Sequence, residues 1–208
     1  TFDHQFDPYI SAYSAGEISR SSPVRVRFTQ DMVAEEEVDQ KLPDHPFSFS
    51  PKIKGTVIWE DTRTLKFIPE SELPSGQEYL VKVKTSELFA GDVPDHFPFA
   101  FVTRPQDLKV EWTSSQSFTH QNQQWQQVTG VVKTLDVESP ERIEKLFKAK
   151  YGSEKVNVKW KHDDEKGVHT FTIDSLERRD DAAEVNLSWD GDDVGLSVEG
   201  QTAFEIPA

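Results

Sequence analysis

Cysteine is absent from the 208 residues of this chain. Its absence excludes disulfide bonds, zinc sites built on thiolates and thiol nucleophiles. Long apolar runs are also missing, and no stretch approaches the ~20 residues that a membrane-spanning helix needs. Basic residues are few, since 23 Lys and Arg stand against 37 Asp and Glu and leave a net charge of −14. This acidic excess, with its scattered bases, argues against binding to nucleic acid or to an anionic membrane surface.

The usual catalytic motifs are missing as well. The six histidines do not have His-Glu-x-x-His spacing, and the chain has no glycine-rich phosphate loop and no G-x-S-x-G. We interpret His169 as a packed or half-exposed histidine beside the core residue Phe171. We predict no catalytic residue, no cofactor and no metal site. An enzyme remains the third hypothesis, because any two carboxylates could meet in space as a glycosidase pair, although nothing in the sequence favours one pair.

Carboxylates cluster in three segments, at residues 162–167, 178–184 and 189–195. The third segment, WDGDDVG, resembles part of a calcium loop. The twelfth position counted from Asp190 is Gln201, however, so the bidentate Glu of such a loop is missing. We therefore predict that Asp190–Asp193 forms a turn without bound metal and that Trp189 belongs to the core.

Alternating apolar residues predict β-strands with one buried and one solvated face. Seven such runs precede residue 103: YISAYS, PVRVRF, FSFS, GTVIWE, TLKFI, EYLVKVKT and HFPFAFV. A second series follows the interruption TRPQD at residues 103–107 and includes LKVEW, QQWQQVTGVVKTL, VNVKWK, HTFTI, VNLSW and TAFEI. Short strands separated by frequent turn signals are typical of antiparallel sandwiches. The sequence thus predicts an all-β chain of two tandem antiparallel β-sandwich domains, residues 1–104 and 105–208.

One helix is predicted in the second domain. In SPERIEKLFKAKYG, Ser139 is the expected N-cap, Pro140 occupies the first helical position and Gly152 can end the helix. Ile143, Leu146 and Phe147 would form its apolar stripe. A short helical turn is also expected within residues 34–42.

A proline-marked corner, IPESELPSGQEY, separates two well-patterned strands of the first domain. Pro69 and Pro74 cannot donate to a ladder, and LPSG has the chemistry of a turn. We predict a solvated connection here, and not a carboxylate site made of Glu70, Glu72 and Glu78.

The tryptophans are expected to serve the cores. Trp112, Trp160 and Trp189 are in phase with buried positions, whereas Trp59 and Trp125 have ambiguous parity. Tryptophans on a sandwich surface can also form a platform for sugar rings, but packing in the core is the favoured interpretation.

Two stretches resemble a known family. SSPVRVRFTQDM, followed by FSFSPKIKGTVIWEDTRTLKFIPESELPSGQEYLVKV, resembles the bacterial Ig-like domain at the head of bacterial alpha-2-macroglobulin-like proteins. FTIDSLERRDDAAEVNLSWDGDDVG, with the closing FEIPA, resembles the end of a macroglobulin-like domain. The resemblance implies an Ig-like domain at residues 1–104 and a macroglobulin-like domain at residues 105–208.

The resemblance implies a non-catalytic N-terminal scaffold of a protease-trapping inhibitor. Family members are exported to the periplasm or cell envelope, and many carry a lipid anchor on an N-terminal Cys, which would lie upstream of Thr1. Full-length members capture proteases, often through a Cys-x-Glu-Gln thioester that this chain cannot form. The implied partners are proteases, reached through the full-length protein, and other domains of the same chain. We read the chain as a piece of a longer protein. The alternative is a glycan- or protein-binding Ig-like module of a bacterial cell-surface protein.

Overall fold

The computed structural model describes residues 4–208. The chain divides into two compact units, the first ending at Arg104 and the second running from Pro105 to Ala208. Each unit has its own cluster of buried apolar side chains. No helix in the described part of the chain is long and apolar enough to cross a membrane.

In its described residues, the first unit has nine strands in two sheets. The strands are β1 (Ile10–Tyr13), β2 (Gly16–Ile18), β3 (Val24–Phe28), β4 (Lys41–Leu42), β5 (Phe47–Ser50), β6 (Gly55–Asp61), β7 (Thr64–Pro69), β8 (Glu78–Lys84) and β9 (His96–Thr103). One sheet has the order β1-β3-β7-β6-β4 and the other the order β2-β9-β8-β5. All pairs are antiparallel except β2 with β9. The helical turn expected within residues 34–42 is a 3-10 turn at Glu35–Glu37.

Alternation along these strands produces the core. The odd residues of β9, Phe97, Phe99 and Phe101, are 1%, 8% and 2% exposed. Phe67 of β7 packs against Phe49 of β5, with ring centroids 4.4 Å apart. Burying side chains of this size stabilises a fold by about 1.5–3 kcal/mol each. The predicted all-β, sandwich-type fold is confirmed, with the parallel β2–β9 pair as an exception to the antiparallel pairing.

The second unit has eight strands and one α-helix in its described residues. They are β10 (Leu108–His120), β11 (Gln123–Thr134), α1 (Pro140–Leu146), β12 (Phe147–Tyr151), β13 (Glu154–Val156), β14 (Lys159–Asp163), β15 (Val168–Glu177), β16 (Ala183–Asp190) and β17 (Glu199–Ile206). The sheets have the orders β10-β11-β15-β14 and β13-β12-β16-β17. Gly130 of β11 allows a close approach, since a Cβ there would overlap the Phe171 ring and lie 2.6 Å from the Glu111 carbonyl oxygen.

The predicted helix over SPERIEKLFKAKYG is wrong in its second half. Helix α1 ends at Leu146, and Phe147 begins strand β12. In FKAKY, Phe147, Ala149 and Tyr151 alternate with exposed lysines, so the segment buries its apolar residues better as a strand. Pairing with β16 satisfies its backbone groups. The start of helix α1 is as predicted, because the Ser139 side chain accepts a hydrogen bond from the Arg142 backbone N–H.

The proline corner of the first unit is anchored by a buried arginine. Arg20 is 2% exposed, and its Nε donates to the Leu73 carbonyl oxygen at 2.7 Å. The Leu73 N–H donates to the Arg20 carbonyl oxygen at 3.0 Å, and Leu73 itself is 4% exposed. The Arg20 guanidinium lies 3.6 Å from the Glu72 carboxylate. The corner is therefore a structural connection, and its Leu73 side chain packs into the core of the first unit.

Removing the Arg20 guanidinium should destabilise the first unit. In Arg20→Met the aliphatic stem remains, but the buried Leu73 carbonyl loses a charged donor, which costs about 1–3 kcal/mol. The matched control is Arg104→Met, because Arg104 forms a more exposed ion pair with Glu17 of the kind worth about 0–1 kcal/mol. Urea unfolding followed by fluorescence measures both variants. Equal losses would contradict the anchoring role of Arg20.

Candidate functional site

Two histidines form the most distinctive polar contact of the second unit. His162 of β14 and His169 of β15 are directly opposite in the strand pairing. Their Nδ1 atoms lie 2.8 Å apart, within hydrogen-bond distance. The His162 Nε2 atom lies 3.3 Å from Oε1 of Glu144 on α1. The contact therefore connects two strands and the helix.

One pair of neutral ring tautomers satisfies these partners. Because an ionised carboxylate only accepts, His162 donates its Nε2–H to Glu144 and keeps a lone pair on Nδ1. His169 then donates its Nδ1–H to that lone pair, and its own Nε2 is a buried acceptor without a partner among the described residues.

The surroundings of His169 disfavour its positive charge. The side chain is 0% exposed, and burial, followed by the neighbouring His162, lowers the pKa of His169 below its usual value of 6.5. Asp164 and Glu138 act in the opposite direction. The predicted packed histidine is present, but it is fully buried and not half-exposed.

A buried polar network lies near the start of α1. Gln106, Asp136 and Glu138 are 6%, 6% and 2% exposed. The Gln106 amide donates to the Asp136 carbonyl at 3.1 Å and to the Glu138 carboxylate at 3.3 Å. Arg142 forms an ion pair with Glu138 at 2.8 Å and donates to the Val194 carbonyl at 2.5 Å. These groups join α1 to the chain on either side of it, so their arrangement is structural.

The structure separates the three predicted carboxylate clusters by role. Of residues 162–167, Asp163 caps a 3-10 turn at Asp164–Lys166 and accepts from Lys166. Residues 178–184 lie in the connection from β15 to β16 and at the start of β16. At residues 189–195, Asp190 accepts from the Asp192 N–H at 3.0 Å and a 3-10 turn follows. No metal-ligating group is found at this last cluster among the described residues.

Trp112, Trp160 and Trp189, predicted to be buried, are only partly buried and pack against the core of the second unit, and Trp125 is also partly buried. Trp59, whose parity was ambiguous, is 5% exposed. Trp160 and Trp189 are partly buried on either side of Phe147, with ring centroids 5.3 and 5.6 Å from it. Trp112 packs edge-on against Phe171 at 5.1 Å.

The strand pairing creates a lysine-bordered groove that the sequence analysis missed. Its apolar floor includes Phe147, Val156, Val158 and Trp160, and the volume is about 500 Å³. Three lysines, Lys148, Lys150 and Lys155, border it together with one acidic residue, Glu144. Six of the 23 basic residues, but one of the 37 acidic ones, lie in residues 145–161.

Among residues 4–208, no carboxylate forms an ion pair with Lys148, Lys150 or Lys155, although Glu144 also lines the groove. Lys150 and Lys155 are directly opposite on β12 and β13, where like charges repel. In residues 4–208, carboxylates pair with six other lysines: Lys66, Lys84, Lys109, Lys133, Lys159 and Lys166. The groove is therefore a local cationic surface on an acidic chain.

Comparison with known proteins gives distant likenesses only. No family model matches the sequence, and no curated protein is detectably similar to it. L,D-transpeptidase 3 from Mycobacterium tuberculosis is 14% identical over 58% of this chain and 44% of its own, with a TM-score of 0.33. The N-terminal part of the bacterial S-layer protein SbsC is 15% identical over 96% of this chain and 44% of its own, with a TM-score of 0.32. This chain thus spans less than half the length of either structure. Similarity at this level says nothing about function.

The stability of the second unit should fall as the pH drops below about 6.5. The unfolded chain takes up a proton at His169 there, whereas the folded state, with its lowered pKa, does not. Unfolding is therefore favoured by up to about 1.4 kcal/mol per pH unit until the folded pKa is reached. His169→Asn keeps a donor for His162 but cannot titrate. The free energy of unfolding of this variant should therefore fall less on acidification than that of the unaltered chain. Urea unfolding at pH 7.5 and 5.5 measures the difference, with the exposed His96→Asn as control. An unchanged pH dependence in His169→Asn would overturn the assignment.

Proposed function

We propose that the chain is a non-catalytic scaffold segment of a bacterial alpha-2-macroglobulin-like protease-trapping inhibitor, exported to the periplasm or cell envelope. The observation that carries the proposal is the structural role of the residues behind the family resemblance. Trp59 and Tyr79 are 5% and 3% exposed in the first core, and Leu73 of the proline corner is 4% exposed. In the second unit, the segment from Trp189 to Ile206 forms a strand, a turn and a closing strand.

The buried polar groups support a scaffold in the same way. Arg20 anchors the proline corner, the Glu138–Arg142 pair anchors the start of α1, and the His162–His169 contact joins neighbouring strands. A trap closes around a protease by moving whole domains, which requires modules that keep their shape. Aromatic cores such as the Phe49–Phe67 contact resist deformation because interiors are close-packed.

The isolated chain should neither cleave nor inhibit proteases. Covalent capture needs an activated acyl group, and without cysteine this chain cannot form a thioester. Its net charge of −14 can attract basic proteases, but such contacts are screened within about 8 Å at physiological salt. The chain is titrated against a protease panel with small and protein substrates at physiological salt. Stoichiometric inhibition, or a covalent adduct on a denaturing gel, would show that an inhibitory segment lies within these residues.

A second function, the binding of an anionic protein or glycan at the cell surface, is favoured by the lysine-bordered groove. Its apolar floor can take an apolar side chain or a sugar face, and its three lysines can pair with acidic groups. The directly opposed Lys150 and Lys155 cost stability in the absence of such a ligand.

Lys155→Glu distinguishes this function from a plain surface. Relief of cross-strand repulsion should raise stability by about 0.2–1 kcal/mol. If the groove binds ligands, the same change should abolish binding of acidic peptides or uronate-containing glycans that the unaltered chain retains. Lys41→Glu on β4 of the first unit is the control. Ligand binding that is insensitive to Lys155→Glu, or no binding by any member of the panel, would reject the groove as a binding site.

A further inference from the structure

Two imidazoles and one carboxylate in the second unit lie within reach of a single ion. Ligand atoms of His162, Asp164 and His169 are all within 4.8 Å of one another. Two nitrogens and one oxygen form a donor set suited to Zn²⁺ and related transition metals. Carboxylate-only sites suit Mg²⁺ and Ca²⁺ instead.

The backbone holds these donors in a fixed relation. His162 and His169 are a directly opposed pair of the β14–β15 hairpin. The 3-10 turn at Asp164–Lys166 closes this hairpin, and Gly167 completes it with a φ of +60°. The ladder and the hydrogen-bonded turn keep the two rings on directly opposed positions of the hairpin, and small side-chain rotations can adjust the distance between them.

The cluster of His162, Asp164 and His169 is buried on the His169 side and accessible to solvent on the Asp164 side. His169 is 0% exposed, whereas the His162 side chain is 14% exposed and Asp164 lies at the surface. The stacked ring of Trp160, with its centroid 5.9 Å from that of His162, shields one face. An ion can enter from the Asp164 side, and water can occupy its remaining coordination positions.

Glu144 occupies the place of an outer-shell partner. Histidines that bind a metal through one ring nitrogen usually donate the other N–H to a carboxylate, which fixes the tautomer and raises ligand basicity. Glu144 accepts from His162 Nε2 at 3.3 Å, so the His162 Nδ1 lone pair points at the His169 ring. This hydrogen bond from a separate helix is independent of the spacing of the three ligands.

We propose that His162, His169 and Asp164 bind one divalent transition metal ion, with Zn²⁺ as the reference ion. The ion takes the position between the two Nδ1 atoms, and the proton on His169 Nδ1 moves to Nε2, so both rings stay neutral. Tetrahedral ligands about 2.0–2.1 Å from zinc are about 3.3 Å apart, so the 2.8 Å N–N separation widens by about half an ångström. Asp164, being exposed, rotates inward to complete the set.

The test uses the untagged 208-residue chain, freed of metal with a chelator, at pH 7.5. Zn²⁺ is titrated by calorimetry, and Co²⁺ by its visible absorption, which reports nitrogen ligation and geometry. We expect one ion per chain, a rise in the melting temperature on Zn²⁺ addition, and no comparable response to Mg²⁺ or Ca²⁺.

Two substitutions test the ligands, and a third tests the outer-shell partner Glu144. His162→Gln keeps a donor toward Glu144 but loses the Nδ1 lone pair, and Asp164→Asn keeps shape but loses charge. Each should weaken Zn²⁺ binding by about 100-fold or more, since these are direct ligands, and Glu144→Gln by about 10-fold. Asp164→Asn lies at the surface and tests the proposal even if His162→Gln does not fold.

The matched controls carry a histidine and carboxylates without the three-ligand arrangement. His96 lies 2.8 Å from Asp95 in the first unit, and Asp192 belongs to the acidic turn of the second. His96→Gln and Asp192→Asn should leave Zn²⁺ affinity unchanged. The proposal is overturned if Zn²⁺ does not bind one-to-one, if Asp164→Asn and His162→Gln bind as well as the unaltered chain, or if the loss appears in a control variant.

Discussion

The structure depends on one constraint, the burial of alternate side chains along the main strands of each sheet. Phe97, Phe99 and Phe101 meet it on β9, and Phe147, Ala149 and Tyr151 meet it on β12. In the connections between strands, where the alternation stops, hydrogen bonds from buried polar groups fix the backbone. Arg20 holds the proline corner, and Gln106 and Glu138 hold the entry to α1.

The same constraint explains what could be predicted from the sequence. Period-2 alternation located most strands and the all-β class. The strand at residues 147–151 was not predicted. The capped helix start at Ser139 and the high helix propensity of FKAKY favoured a continuous helix over a strand. The pairs His162–His169 and Lys150–Lys155 were missed because the residues were weighed singly. The two residues of each pair are equidistant from the turn between them, so the register of a hairpin at that turn predicts both contacts. The burial of Glu138 and Arg20 depends on long-range packing that no local pattern encodes.

The buried polar groups of both units have structural partners, as the proposed scaffold function requires. The His162–His169 contact lies on β14 and β15, and the groove borders the neighbouring strands β12 to β14. Residues 144–169 therefore contain seven of the twelve Lys and Arg residues of the second unit, together with His162 and His169. A scaffold that binds an ion or an anionic partner would do so here.

The most direct measurement of the central claim is protease trapping by the full-length protein that contains this segment. Protein and small peptide substrates are offered to a protease preincubated with that protein, with and without residues 1–208. The account predicts that the full-length protein protects the large substrate and spares cleavage of the small one, and that deletion of the segment weakens this protection. Equal hydrolysis of the protein substrate with and without the full-length protein would contradict the assignment of this chain to a protease trap.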